Sequence, residues 1–165
     1  MRFLLAWCLL FAAAAAPAAA DTMRGIVIVV IDGDTVLFKP DHYGAASRAF
    51  LKVRLADIDA PEKDQPYGDA ATQALTALVL KQKVAVDTVA TDAYGRTIAR
   101  IRIGAVRVDT ELVRRGYAWS SSRGPSDAAL AEAQREAHRE RRGLWQDPAP
   151  TPPWVWRRIQ KNINE

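Results

Sequence analysis

Residues 26–38, IVIVVIDGDTVLF, are two runs of aliphatic and β-branched residues separated by Asp32-Gly33. Branched side chains pack well on a pleated surface, and Asp-Gly favours a tight hairpin turn because both of its residues tolerate positive φ. The stretch is therefore expected to form an antiparallel strand pair. Working outward, the turn-rich loop DHYGAAS (41–47) leads to a third strand expected over about Phe50 to Ile58. A helix follows over roughly Asp69 to Leu80, with Leu75, Leu78 and Val79 on one face. KVAVDTVA (83–90) and RTIARIRI (96–103) read as a second strand pair joined at residues 93–95, and VRV (106–108) adds a short strand after Gly104. Asp109 is expected to cap a short helix that stops at Gly116, and Ser126 or Asp127 a longer one that stops at Gly143. Five short strands with three helices imply an α+β fold, mainly β, of the five-stranded OB-type barrel with flanking helices. Closure of such a barrel removes exposed sheet edges and leaves a rim on which nucleic acids commonly bind.

The ends of the chain differ from this body. Arg2 precedes an apolar run from Phe3 to Ala16, and small residues close the segment at Ala20. That is the build of a secretory signal peptide, shorter in its apolar part than the ~20 residues a membrane span needs. Residues 1–20 are thus expected to be a cleaved leader, 21–147 the globular domain and 148–165 a proline- and tryptophan-rich tail that is not regular helix through its prolines. The expected location is secreted or periplasmic, with no membrane association after cleavage and a monomer as the default state. The full chain carries a formal charge of +4; loss of the leader removes Arg2 and the lone cysteine, Cys8, and leaves +3. Disulfides and thiolate metal sites are then excluded, and the mild basic excess supports a polyanionic partner only weakly.

The candidate site begins with RLADIDAPE, residues 54–62. Side chains alternate along a strand, so Arg54 and Asp59 fall on opposite faces and reach one site only if the strand bends between them. The approach to Pro61 is a place for such a bend. Asp32 is explained by turn chemistry, whereas Asp34 opens a run of β-formers. If Asp34 and Asp59 meet, their repulsion calls for a cation, and hard oxygens without histidine or cysteine suit Ca²⁺ or Mg²⁺ rather than Zn²⁺. Few protein ligands leave an open coordination shell, which suits catalysis. Arg96, in the turn DAYGR (92–96), gives with Arg54 a second planar donor fork suited to a phosphate. His42 and His138 are isolated, and the cluster Arg135, Arg139, Arg141, Arg142 reads as a solvated helix end.

VIDGDTV, RLADIDAPE, DAYGR and AHRERRGLW occur in this order between residues 26 and 145, and together they resemble the staphylococcal nuclease family. The resemblance implies an OB-type barrel with three helices that hydrolyses DNA and RNA with Ca²⁺, on single-stranded or locally melted substrate, leaving 3′-phosphates. Position by position it implies Asp34 and Asp59 as metal carboxylates and Ala60 as a ligand through its main-chain carbonyl, where the family often has threonine. It implies Glu62 as the acid that activates or orients water, and Arg54 and Arg96 as the pair that holds the phosphate. Tyrosines that relatives carry before the last helix are replaced here by YAWSSSRGP (117–125), so nucleotide stacking falls to Tyr94, with Tyr117 and Trp119 equally suited to packing. Asp57 stands where relatives usually carry a small or apolar residue, and no role is assigned to it. Two rivals differ in class. A non-catalytic OB module that binds single strands predicts a broken catalytic set. A structural domain with an ordinary Ca²⁺ site leaves Arg54, Glu62 and Arg96 without a task.

Overall fold

The computed structural model describes residues 22–121, 127–163 and 165. The leader, Ser126 as an alternative cap and part of the 117–125 segment lie outside the described residues. Strands β1 (Thr22–Val30) and β2 (Thr35–Pro40) form the expected antiparallel pair. They are followed by β3 (Leu51–Leu55), the short β4 (Ile58–Asp59), helix α1 (Gly68–Val79), β5 (Lys83–Thr91) and β6 (Thr97–Ile103). A two-residue strand β7 (Val106–Arg107), helix α2 (Val108–Arg114), β8 (Trp119–Ser120), helix α3 (Ala128–Arg139) and helix α4 (Pro153–Ile163) complete the order.

The sheet runs β3-β2-β1-β5-β6-β7, and a parallel pairing of β3 with β6 joins its two sides into a closed five-stranded barrel. Alternate residues fill it: Val27, Val36, Phe38, Val53, Leu55, Val86, Ala99 and Ile101 are buried. Leu75 and Val79 from α1 and Leu112 from α2 join the same core, as the 3.6-residue spacing of the apolar positions requires. Among the described residues no helix is long and apolar enough to cross a membrane.

Four local expectations are corrected. Asp32 and Gly33 do not adopt positive φ. The β1–β2 connection spans residues 31–34, with the Ile31 amide donating to the Thr35 carbonyl at 2.8 Å, so it is longer than a two-residue turn. Gly33 is required by space instead: a Cβ there would stand 2.7 Å from the Ala60 Cβ and 2.8 Å from the Ala71 Cβ. The strand does bend between Arg54 and Asp59, but at Asp57, whose φ of 62° is left-handed, rather than at Pro61. Asp tolerates that region better than most residues, and its carboxylate accepts from Arg100 Nη2 at 2.5 Å, which gives Asp57 a structural task. Asp109 is not a cap: it lies inside α2, fully buried, chelated by Arg107 and accepting from the Thr110 amide. Asp127 does cap α3, but that helix ends at Arg139, four residues before Gly143. The tail's last proline, Pro153, opens α4, a position where its missing N–H costs nothing. The earlier prolines stay outside the helix.

Candidate active site

Register brings the site together. Arg54 pairs across the sheet with Thr35 on one side and with Ile98 on the other, so it stands between the start of β2, where Asp34 lies, and the start of β6, next to Arg96. The Leu55 amide donates to the Asp34 carbonyl at 2.8 Å and ties the two segments. After the turn at Asp57, the chain runs back through β4 and delivers Asp59, Ala60 and Glu62 to the same end of the barrel. These residues line a cavity of about 510 Å³ together with Asp32, Asp92, Tyr94, Arg96, Ser121 and Arg157.

Both metal-candidate carboxylates converge on one atom. Arg54 Nη2 lies 3.0 Å from Asp34 Oδ2 and 2.8 Å from Asp59 Oδ1. Arg54 Nη1 donates to the carbonyls of Leu55 and Ile58, which fixes the guanidinium plane. Asp34 also accepts from the Thr35 hydroxyl at 2.9 Å and from the Ala60 amide at 3.2 Å, while its own amide donates to Asp32. Burial pushes the Asp34 carboxyl up from 3.8 to about 6, against the pull of Arg54 and the amide and hydroxyl donors and with the help of neighbouring Asp32.

The donor set fits a hard divalent cation. Two carboxylates already share a positively charged nitrogen, and the lining holds five carboxylates against three guanidiniums, a formal excess of two negative charges. No group of three or more His, Cys, Asp or Glu among the described residues is placed to hold a metal. Asp34 and Asp59 would supply two oxygens of such a cation's shell, beside the open cavity.

Glu62 stands at the cavity edge. Its amide donates to Gln65 Oε1 at 3.1 Å, and its carbonyl accepts from the Gln65 amide at 3.0 Å. Gly68, at the start of α1, packs so closely beneath this loop that a Cβ would fall on the Glu62 carbonyl. Arg96, also in the lining, donates from Nε to Asp92 Oδ2 at 2.6 Å. Its terminal nitrogens make no hydrogen bond among the described residues. Tyr94 is 86% exposed at the mouth, with the Arg96 guanidinium 5.7 Å from its ring centre. Trp119, by contrast, is buried with its ring edge-on to Trp145 and Trp154, and Tyr117 packs against the core, so both serve packing.

Sequence reasoning missed two residues. Buried Gln65 links the Glu62 loop to the tail by donating to the Thr151 carbonyl at 2.5 Å. Arg157, on α4, reaches Asp59 Oδ2 at 2.7 Å and Glu62 Oε1 at 2.5 Å. Its bonds to Asp59 raise the guanidinium's hold on its proton. The motif PPWVWRR contained the signal, but no periodicity connects residue 157 to an acid 98 positions earlier.

Comparison with known proteins matches the family described as staphylococcal nuclease homologue over residues 52–147. A protein of Shigella flexneri named micrococcal nuclease is 38% identical over 157 residues, covering 88% of this chain and 86% of the relative. A protein of Escherichia coli O157:H7 named uncharacterized endonuclease is 37% identical over 142 residues, covering 86% and 89%. One of Haemophilus influenzae, also named uncharacterized endonuclease, is 34% identical over 135 residues, covering 82% and 73%. With the barrel, its helices and the acid–arginine cluster at one end, this chain belongs to the staphylococcal nuclease family.

Proposed function

We propose that the protein hydrolyses phosphodiester bonds of DNA and RNA with Ca²⁺ as cofactor, cutting the P–O5′ bond to leave a 3′-phosphate and a free 5′-hydroxyl. The observation that carries this reading is the convergence of Asp34 and Asp59 on one nitrogen of Arg54, in a cavity that also gathers Glu62 and Arg96. The coarser statement, a nuclease, is supported by family membership and by relatives named micrococcal nuclease and endonuclease.

Each residue has a task that its surroundings allow. Asp34, Asp59 and the Ala60 carbonyl would hold the cation, which when bound neutralises the acids and withdraws charge from the phosphate. Glu62 takes a proton from the attacking water, or fixes its orientation, from a partly exposed position that water can reach. Arg54 on β3 and Arg96 just ahead of the neighbouring β6 bind the phosphate oxygens as they gain charge, and donors held in advance avoid reorganisation during attack. With a cation held by Asp34 and Asp59, Arg54 would be free to turn its Nη2 from those acids to a phosphate oxygen. Tyr94, exposed at the mouth, stacks on a base, which favours unpaired strands over a closed duplex. With residues 1–20 as a cleaved leader the enzyme would act outside the cytoplasm, and a monomer is taken as its default state.

The test is chain shortening of single-stranded DNA by the purified protein with Ca²⁺ and then with excess chelator. Cleavage that Ca²⁺ sustains and chelator abolishes supports the reading. Binding without cleavage in either condition would leave a non-catalytic OB module in its place.

A further inference from the structure

The tail lies beyond the span that matches the family, yet α4 places a guanidinium on the two acids of the Asp59–Glu62 segment. Asp59 Oδ2 accepts from Arg157 Nη2 at 2.7 Å, and Asp59 Oδ1, already bonded to Arg54, receives Arg157 Nη1 at 3.3 Å. Both oxygens of one proposed metal carboxylate are therefore occupied by arginine, and among the described residues Arg157 is the one side chain bonded to the Glu62 carboxylate. A fork of this kind is among the stronger pairings available to a carboxylate.

The tail does not depend on Arg157 to stay docked. Gln65 holds the Thr151 carbonyl, Pro153 is buried, Trp154 lies edge-on to Trp119 at 6.4 Å between ring centres, and Trp156 Nε1 reaches Asp64 at 3.4 Å. The arginine can therefore let go of the acids while its helix remains in place.

We propose that Arg157 is a positioning residue that acts as an internal counter-ion: it holds Asp59 and Glu62 together before the divalent cation arrives and must yield Asp59 for that cation to bind. This rests on the metal-dependent reading above. A carboxylate oxygen engaged by a guanidinium has to exchange partners, and two positive groups at one acid repel, so the tail and the cation are negatively coupled. Such coupling is reciprocal: the cation weakens the Arg157 contacts by the factor by which those contacts weaken the cation. In the metal-free chain Arg157 keeps Asp59 and Glu62 from repelling each other, and that stabilisation is what the cation has to displace.

Ca²⁺ titration calorimetry without nucleic acid, on the full chain and its Arg157→Gln and Arg157→Lys variants, tests this together with thermal melts in chelator and in saturating Ca²⁺. Arg157→Gln should bind Ca²⁺ about tenfold more tightly, and Arg157→Lys, which keeps the charge but loses the fork, should fall between the two. Arg157→Gln should also melt below the wild type in chelator, and the gap should close in Ca²⁺. Equal or weaker Ca²⁺ affinity in Arg157→Gln, beside measurable wild-type binding, would overturn the counter-ion and leave the metal site standing. Absence of Ca²⁺ binding in every form would remove the metal reading and the counter-ion with it.

Discussion

Asp34 is the acid whose ionisation the fold opposes, so the stability of the metal-free chain should depend on pH in a way that an Asp34→Asn variant does not share. The residue is 7% exposed, and burial moves its carboxyl from 3.8 to about 6 despite Arg54 at 3.0 Å. Between those values the native state still holds a proton that the unfolded chain has released, so stability falls as pH rises through the window. At about 1.4 kcal/mol per pH unit across it, the loss reaches about 3 kcal/mol and is complete a little above pH 6. The assay is urea unfolding in chelator at a series of pH values from about 4 to 8, for wild type and Asp34→Asn. The stability difference, wild type minus variant, should drop by about 2 kcal/mol over that range, the rest of the loss falling below pH 4. A flat difference, or one that rises with pH, would refute the argument, because it would mean that Arg54 and the amide donors outweigh desolvation. Ca²⁺ favours the ionised form, so its apparent affinity should fall about tenfold from pH 7 to pH 5 as the proton competes.

Three further outcomes follow from the geometry. Glu62→Gln should keep nucleic-acid binding within about twofold and lower the hydrolysis rate by roughly 10²–10⁴, measured by filter binding beside single-turnover cleavage; an unchanged rate would remove Glu62 from the chemistry. Arg96→Ala and Arg54→Ala should each cost roughly 10²–10³ in rate, but only Arg54→Ala should also lower the melting temperature in chelator, because Arg54 alone of the two neutralises Asp34 and Asp59. Gly68→Ala should destabilise the fold by about 1–3 kcal/mol and slow cleavage, since the new methyl group would push the Glu62 carbonyl aside; denaturant unfolding and cleavage rates check both.

Much of the site was legible because its parts are local. RLADIDAPE placed Arg54, Asp59, Ala60 and Glu62 within nine residues, and alternation along a strand already required a bend between Arg54 and Asp59. Its location was not legible: the reasoning favoured Pro61, whose effect on its neighbour is intrinsic, whereas the bend at Asp57 is held by Arg100, 43 residues later. The Asp-Gly turn failed for a similar reason. Local propensity favours positive φ there, but Ala60 and Ala71 pack against Gly33 and select the glycine for its lack of a side chain. Asp109 is a good cap by type, and Arg107 and the Thr110 amide draw it into the helix as a buried acceptor instead.

Residue type and short-range period by themselves determined that the chain forms a small barrel of strands with amphipathic helices, and which arginines and acids could serve a phosphodiester. Those properties depend on neighbours a few positions apart, where steric preference and alternation act directly. Tertiary structure alone decided which charges meet. The pairing of β2 with β3 brings Asp34 to Arg54, and the closing pair of β3 with β6 brings Arg96 to the same cavity. Docking of the tail against Gln65 and Trp119 carries Arg157 onto Asp59 and Glu62. Contacts across such separations arise from burial of the whole core, and electrostatic partnership follows from where that burial leaves each chain segment.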